Sequence, residues 1–120
     1  MLIVYDSLTG MGKSFAEKIG YPTCDIHNFK DNTEESIFLI TRSIKFGSIP
    51  EPTADFLCSH ANRVIGCAVT GDKIWGSGYG EAGRKIANEY EIPLVHIFER
   101  QGFPEDIEIV KTWIDEKNNQ

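Results

Sequence analysis

Three segments of this 120-residue chain leave no side free for water. Residues 1–5 (Met, Leu, Ile, Val, Tyr), 37–40 (Ile, Phe, Leu, Ile) and 64–69 (Val, Ile, Gly, Cys, Ala, Val) are apolar throughout. A strand that faces water on one side alternates polar and apolar residues. A strand with no polar face must be covered on both, which is the habit of parallel sheets layered with helices. The intervening segments carry helical spacing: Phe15, Ala16 and Ile19, stopped by Gly20 and Pro22, then Phe56, Leu57 and Ala61 behind Pro52-Thr53. Ala82, Ile86, Ala87 and Tyr90 mark a third helix, and Ile107, Val110, Trp113 and Ile114 a fourth, opened by Pro104-Glu105-Asp106. Residues 23–26 read as a short, weak strand, 27–35 as a polar loop, and 93–98 as the last strand. The pattern predicts one α/β domain over residues 1–120, with a parallel sheet between helical layers.

In such sheets ligands gather beyond the carboxyl ends of the strands. Three unusual loops fall there. The first, Asp6-Ser7-Leu8-Thr9-Gly10-Met11-Gly12-Lys13-Ser14, joins a strand to a helix with three hydroxyls and two glycines. A helix start has unpaired N–H groups and partial positive charge, so this turn suits a phosphate. The same letters also read as an ordinary strand–helix corner. They nearly spell a P-loop as well, ending in Gly12-Lys13-Ser14 but with Ser7 where the first glycine belongs. The second loop, residues 42–50, carries Phe46 beside Gly47; the third, 70–80, carries Trp75 between Gly71 and Gly76. Aromatics flanked by glycines suit a flat ring, with backbone amides free to meet its polar rim. Trp75 by itself also reads as a loop anchor, and Tyr79 as a helix cap or a packing residue. Together the loops describe a mononucleotide.

Composition removes other classes. A net charge of −6 argues against a nucleic-acid partner. No apolar run approaches a membrane span, and no basic leader precedes the first strand. Cys24, Cys58 and Cys67 are odd in number and lack a Cys-x-x-Cys pair, so they read as free thiols of a cytoplasmic protein. His27, His60 and His96 show no metal-ligand spacing and read as surface or packing residues.

The loops also carry a likeness. Asp6-Ser7-Leu8-Thr9-Gly10 resembles the phosphate loop of flavodoxin-like FMN proteins. Lys45-Phe46-Gly47-Ser48-Ile49-Pro50, Thr70-Gly71-Asp72-Lys73-Ile74-Trp75-Gly76, Val95-His96-Ile97-Phe98-Glu99 and Gly102-x-Pro104-Glu105-Asp106-Ile107 narrow it to the NrdI family. The resemblance implies a flavodoxin-like three-layer sandwich with five parallel strands in the order 2-1-3-4-5. It further implies FMN; the single phosphate turn, with no second glycine-rich strand–helix turn placed for a pyrophosphate, argues against FAD. The resemblance implies an accessory redox flavoprotein rather than a stand-alone enzyme. In that family the reduced flavin reacts with oxygen and supplies the oxidant that assembles the dimanganese-tyrosyl radical cofactor of the class Ib ribonucleotide reductase small subunit. A flavin reductase is the implied electron source. A general flavodoxin electron carrier and a P-loop nucleotide hydrolase are the alternative functions.

Carried over by position, Ser7, Leu8, Thr9, Gly10, Met11 and Gly12 hold the phosphate. Thr41, Ile44, Lys45, Phe46 and Gly47 cover one side of the flavin, and Gly71, Asp72, Trp75 and Gly76 hold its ring edge. The chain departs from the family pattern at Met11, where Asn is common, at Arg42, where Tyr is frequent, and at Asp72, where Asn is usual. An acid beside the ring is expected to pair with a neighbouring base, Arg42 or Lys45.

Overall fold

The computed structural model describes residues 1–31, 34–44, 47–72 and 79–119. Among these residues run five strands: β1 (Leu2–Tyr5), β2 (Thr23–Asp25), β3 (Ile37–Arg42), β4 (Val64–Gly71) and β5 (Leu94–Glu99). All pair in parallel, in the order β2-β1-β3-β4-β5. Four helices alternate with them: α1 (Met11–Ile19), α2 (Glu51–His60), α3 (Glu81–Tyr90) and α4 (Pro104–Asn118). The flavodoxin-like order implied by the sequence is therefore present.

The wholly apolar strands occupy the middle of this sheet. In β3 the side chains alternate between two buried clusters. Phe38 and Ile40 join Phe15, Ala16 and Ile19 of α1 and Val110 and Ile114 of α4. Ile37 and Leu39 join Phe56 and Leu57 of α2 and Ile86 of α3 on the other face. Each such side chain contributes about 1.5–3 kcal/mol on leaving water, so the residues that look featureless in sequence hold the layers together. Gly66 interrupts β4 for a packing reason. A Cβ there would stand 2.7 Å from the Trp113 ring, which leans over the strand onto Phe38 with centroids 5.7 Å apart.

The sheet edge is less regular. β2 stops at Asp25, one residue short of the expected strand, and Ile26–Asn28 forms a 3-10 turn across the expected boundary between strand and loop. The cause is local: the Asp25 carboxylate accepts the His27 amide at 2.9 Å, an Asx-type turn that competes with the ladder. That amide bond, with the His27 ring behind it, holds the Asp25 carboxyl below its ordinary range. At the far end Asp106 accepts the Phe103 amide at 2.7 Å, and its other oxygen meets His96 Nε2 at 2.6 Å. His27 and His60 also lie beside carboxylates, Asp25 and Asp31. Among the described residues no three metal-ligating side chains cluster, and no helix is long and apolar enough to cross a membrane.

The three thiols are free and differ sharply in surroundings. Cys58 is exposed, whereas burial pushes the Cys67 thiol up to about 12. A thiol-specific reagent at pH 8 is therefore expected to modify Cys58 within minutes and Cys67 only after unfolding. Mass mapping of the labelled peptides checks this; early labelling of Cys67 would mean that β4 opens readily.

Candidate functional site

Because every strand is parallel, Tyr5, Arg42, Gly71 and Glu99 all finish at one edge of the sheet. From β1 the chain moves outward to β2 and returns on the other side as β3, so the order reverses between β1 and β3. An open cleft of about 410 Å³ lies at that edge, walled by the loops after β1, β3 and β4 and by Arg100 after β5. This is where the fold type places ligands.

The β1–α1 loop forms one end. Ser7 Oγ accepts the Gly10 amide at 3.0 Å, closing a tight turn. Gly10 then takes φ +89°, a left-handed conformation that glycine adopts without strain. The helix begins at once, with the Ser14 amide donating to the Gly10 carbonyl at 2.9 Å. Gly10 has no side chain to cap it, so the amides of Met11, Gly12 and Lys13 precede the first helical bond at the cleft. Met11 and Gly12 both line the cavity.

Below the loop lies a buried polar network. Asp6 is 1% exposed, and its Oδ2 accepts the Thr53 hydroxyl at 2.7 Å. Thr53 has spent its one proton there, so Thr41 donates to Thr53 Oγ1, at 2.6 Å. Asp6 Oδ1 faces Nε and Nη2 of Arg42, each at 3.4 Å. Arg42, one of the two bases named as candidates for Asp72, thus meets Asp6. Lys45, the other candidate base, lies outside the described residues.

The far wall is laced together. The Ser43 amide donates to the Thr70 carbonyl at 3.0 Å, joining the loops after β3 and β4. Ser43 Oγ accepts the Ala82 amide at 3.1 Å and so caps the start of α3. Thr70 Oγ1 donates to the Arg100 carbonyl at 2.7 Å, drawing in the segment after β5. Ile44 and Ser48 form an isolated antiparallel bridge, with the Gly47 amide donating to the Ile44 carbonyl at 2.7 Å. Two carboxylates (Asp6, Asp72) and two guanidinium groups (Arg42, Arg100) stand in the described wall, which is therefore charge-balanced.

A family sequence model described as NrdI Flavodoxin like matches residues 3–112, nearly the whole chain. The chain belongs to the NrdI flavodoxin-like family. It is 34% identical over 116 residues to Protein NrdI of Macrococcus caseolyticus, covering 97% of this chain and 90% of that one. Among solved structures, a short-chain flavodoxin associated with a PDU bacterial microcompartment superposes with a TM-score of 0.77 at 16% identity, over 95% of this chain and 93% of that one. Fusobacterium nucleatum flavodoxin bound to flavin mononucleotide gives 0.62 at 15% identity, over 98% of this chain and 96% of that one. Both structures share the fold. The Gly12-Lys13-Ser14 spelling thus sits in a NrdI flavodoxin-like loop, and the P-loop alternative loses its basis.

Of the residues expected at the site, Ser7, Leu8, Thr9, Met11, Gly12, Ile44, Gly71 and Asp72 line the cleft of this NrdI-family chain. Gly10 shapes its rim, and Gly47 is buried in the tight turn after Ile44. Thr41 is fully buried, and its hydroxyl sits behind the wall in the Asp6 network. Phe46, Trp75 and Gly76 lie outside the described residues, as does Lys45. The structure adds Asp6, Ser43, Thr70 and Arg100 to the wall and brings Arg42 into it. Asp6 and Arg42 carried a signal, since each stands at the carboxyl end of an apolar strand. Arg100 carried none.

Proposed function

We propose that the cleft binds FMN and that the reduced protein supplies the oxidant for assembling the dimanganese-tyrosyl radical cofactor in the small subunit of class Ib ribonucleotide reductase. The observation that carries this reading is the convergence of three loops on one cleft with an uncapped helix start at its end. The amides of Met11, Gly12 and Lys13 would meet the phosphate, where the start of α1 favours negative charge. Ser7 Oγ already accepts from Gly10 and so keeps its proton for the ligand, beside the hydroxyl of Thr9. Gly71 and Asp72 would meet the rim of the ring. Ile44 and Gly47 would cover one side of it, together with Lys45 and Phe46 of the same motif; Trp75 and Gly76 belong with Gly71 and Asp72 at the ring edge.

The cleft favours a single phosphate. Of the other helix starts at this edge, that of α3 follows the β4 loop that lines the cleft, and its Ala82 amide is occupied by Ser43 Oγ. A second phosphate, as FAD would bring, finds no comparable seat there. When bound and reduced, the flavin supplies electrons that dioxygen takes up; a flavin reductase would replenish them. The exposed side chains of Leu8 (77%) and Ile44 (37%) give the cleft mouth apolar lips for the reductase subunit to cover.

The purified protein is expected to be yellow, or to turn yellow on adding FMN, with flavin absorption bands. A colourless, correctly folded protein that ignores FMN would overturn the flavin reading. With flavin bound, the tyrosyl radical yield of manganese-loaded small subunit is expected to rise severalfold when this protein and a reductant are added. Equal yields with and without it would assign the chain to general electron transfer.

A further inference from the structure

The side chain of Arg42 is the least expected feature of the cleft. The register of the sheet places it. Tyr5 pairs with Ile40, and the Asp6 amide continues the ladder to the Ile40 carbonyl at 2.8 Å. Arg42 ends β3 two residues beyond Ile40, and its guanidinium meets Asp6, the residue that opens the β1–α1 loop. Both line the cavity, so Arg42 stands next to the loop that ends in the uncapped start of α1.

Asp6 holds the guanidinium there without consuming it. Two of its N–H groups point at a single oxygen, Oδ1, at 3.4 Å, longer than a strong charge-assisted bond. The better bond to Asp6 comes from Thr53, at 2.7 Å on Oδ2. Arg42 is 22% exposed, on the cleft side of a carboxylate that is itself buried. A planar guanidinium has five donors and binds phosphate through two of them at once.

We propose that Arg42 is the phosphate-selecting residue of this cleft: braced by Asp6, its guanidinium pairs with the flavin's terminal phosphate and makes the site discriminate phosphorylated from unphosphorylated flavin. This rests on the flavin reading above. Helix amides alone favour any anion, whereas a fixed guanidinium adds a full charge and a two-pronged geometry at the same end.

The test compares wild type with Arg42→Gln and Arg42→Lys, using FMN, riboflavin and inorganic phosphate as probes. Arg42→Lys keeps a cation beside Asp6 and guards against a variant that merely fails to fold. Flavin fluorescence titration is expected to show FMN weakened about 10- to 100-fold in Arg42→Gln and riboflavin changed by less than about twofold. Arg42→Lys is expected to fall between. Inorganic phosphate, against chloride at matched ionic strength, is expected to raise the melting temperature of wild type and not that of Arg42→Gln. Equal weakening of FMN and riboflavin would overturn the proposal, because Arg42 would then support the wall or the ring. So would an unchanged FMN affinity. Should wild type bind neither flavin, the flavin reading falls by itself. The phosphate arm then decides: a rise lost in Arg42→Gln upholds the anion role, and its absence from wild type removes it.

Discussion

Replacing Gly10 with valine is expected to abolish FMN binding while leaving the sheet folded. Gly10 has φ +89°, and a Cβ built there meets nothing within 4 Å. The penalty is therefore one of backbone conformation and not of collision. A left-handed conformation costs an L-residue roughly 1–2 kcal/mol, and β-branching adds to this. The chain escapes the strain by opening the turn that Ser7 Oγ closes, and the amides of residues 11–13 swing away with it. We expect the FMN dissociation constant to rise at least about 100-fold, equivalent to about 2.7 kcal/mol. The melting temperature should drop by only a few degrees. Fluorescence titration beside a thermal melt separates the two effects. Full affinity in the variant would mean that the start of α1 does not hold the phosphate.

Asp6→Ala should have the largest effect on stability. It takes the acceptor from the buried Thr53 hydroxyl, which keeps only its bond from Thr41, and removes the partner of Arg42. Breaking a buried pair from one side costs about 3–5 kcal/mol, and the partial exposure of Arg42 places this case near the lower bound, about 3 kcal/mol. Asp6→Asn keeps an acceptor for Thr53 and should lose about half as much. Urea unfolding followed by circular dichroism measures both. A midpoint for Asp6→Ala equal to that of wild type would show that the network adds nothing to the fold.

What could be read in the sequence depended on whether a residue's role was set by its neighbours along the chain or by distant ones. β3 and β4 were legible because burial on both faces leaves no polar residue in Ile37–Leu39–Ile40 or Cys67–Ala68–Val69, whatever surrounds them. The α1 corner was legible for the same reason, as its hydroxyls and glycines act within one turn. The 3-10 turn at Ile26–Asn28 was local too, but Asp25 looked like a strand residue until its carboxylate was seen to take the His27 amide. The polar wiring of the cleft was hidden. Asp6 meets Arg42 across 36 residues and Thr53 across 47, and Ser43 meets Ala82 across 39. No periodicity records such partnerships. Asp72 and Arg42 attracted each other on paper because their loops adjoin, whereas the partner the structure gives the guanidinium is Asp6, from the strand on the other side of β3.

The bonds from Ser43 to Thr70 and Ala82, and from Thr70 to Arg100, have a thermodynamic consequence. Binding usually spends part of its free energy on ordering the loops that will touch the ligand. Here one serine and one threonine tie three crossover segments to each other through backbone groups that need partners in any case. Their conformational entropy is given up when the chain folds. A ligand that enters meets these positions already fixed, so disrupting Ser43 should slow neither encounter nor docking at the first loop. It should instead shorten the residence time of whatever rests against this wall.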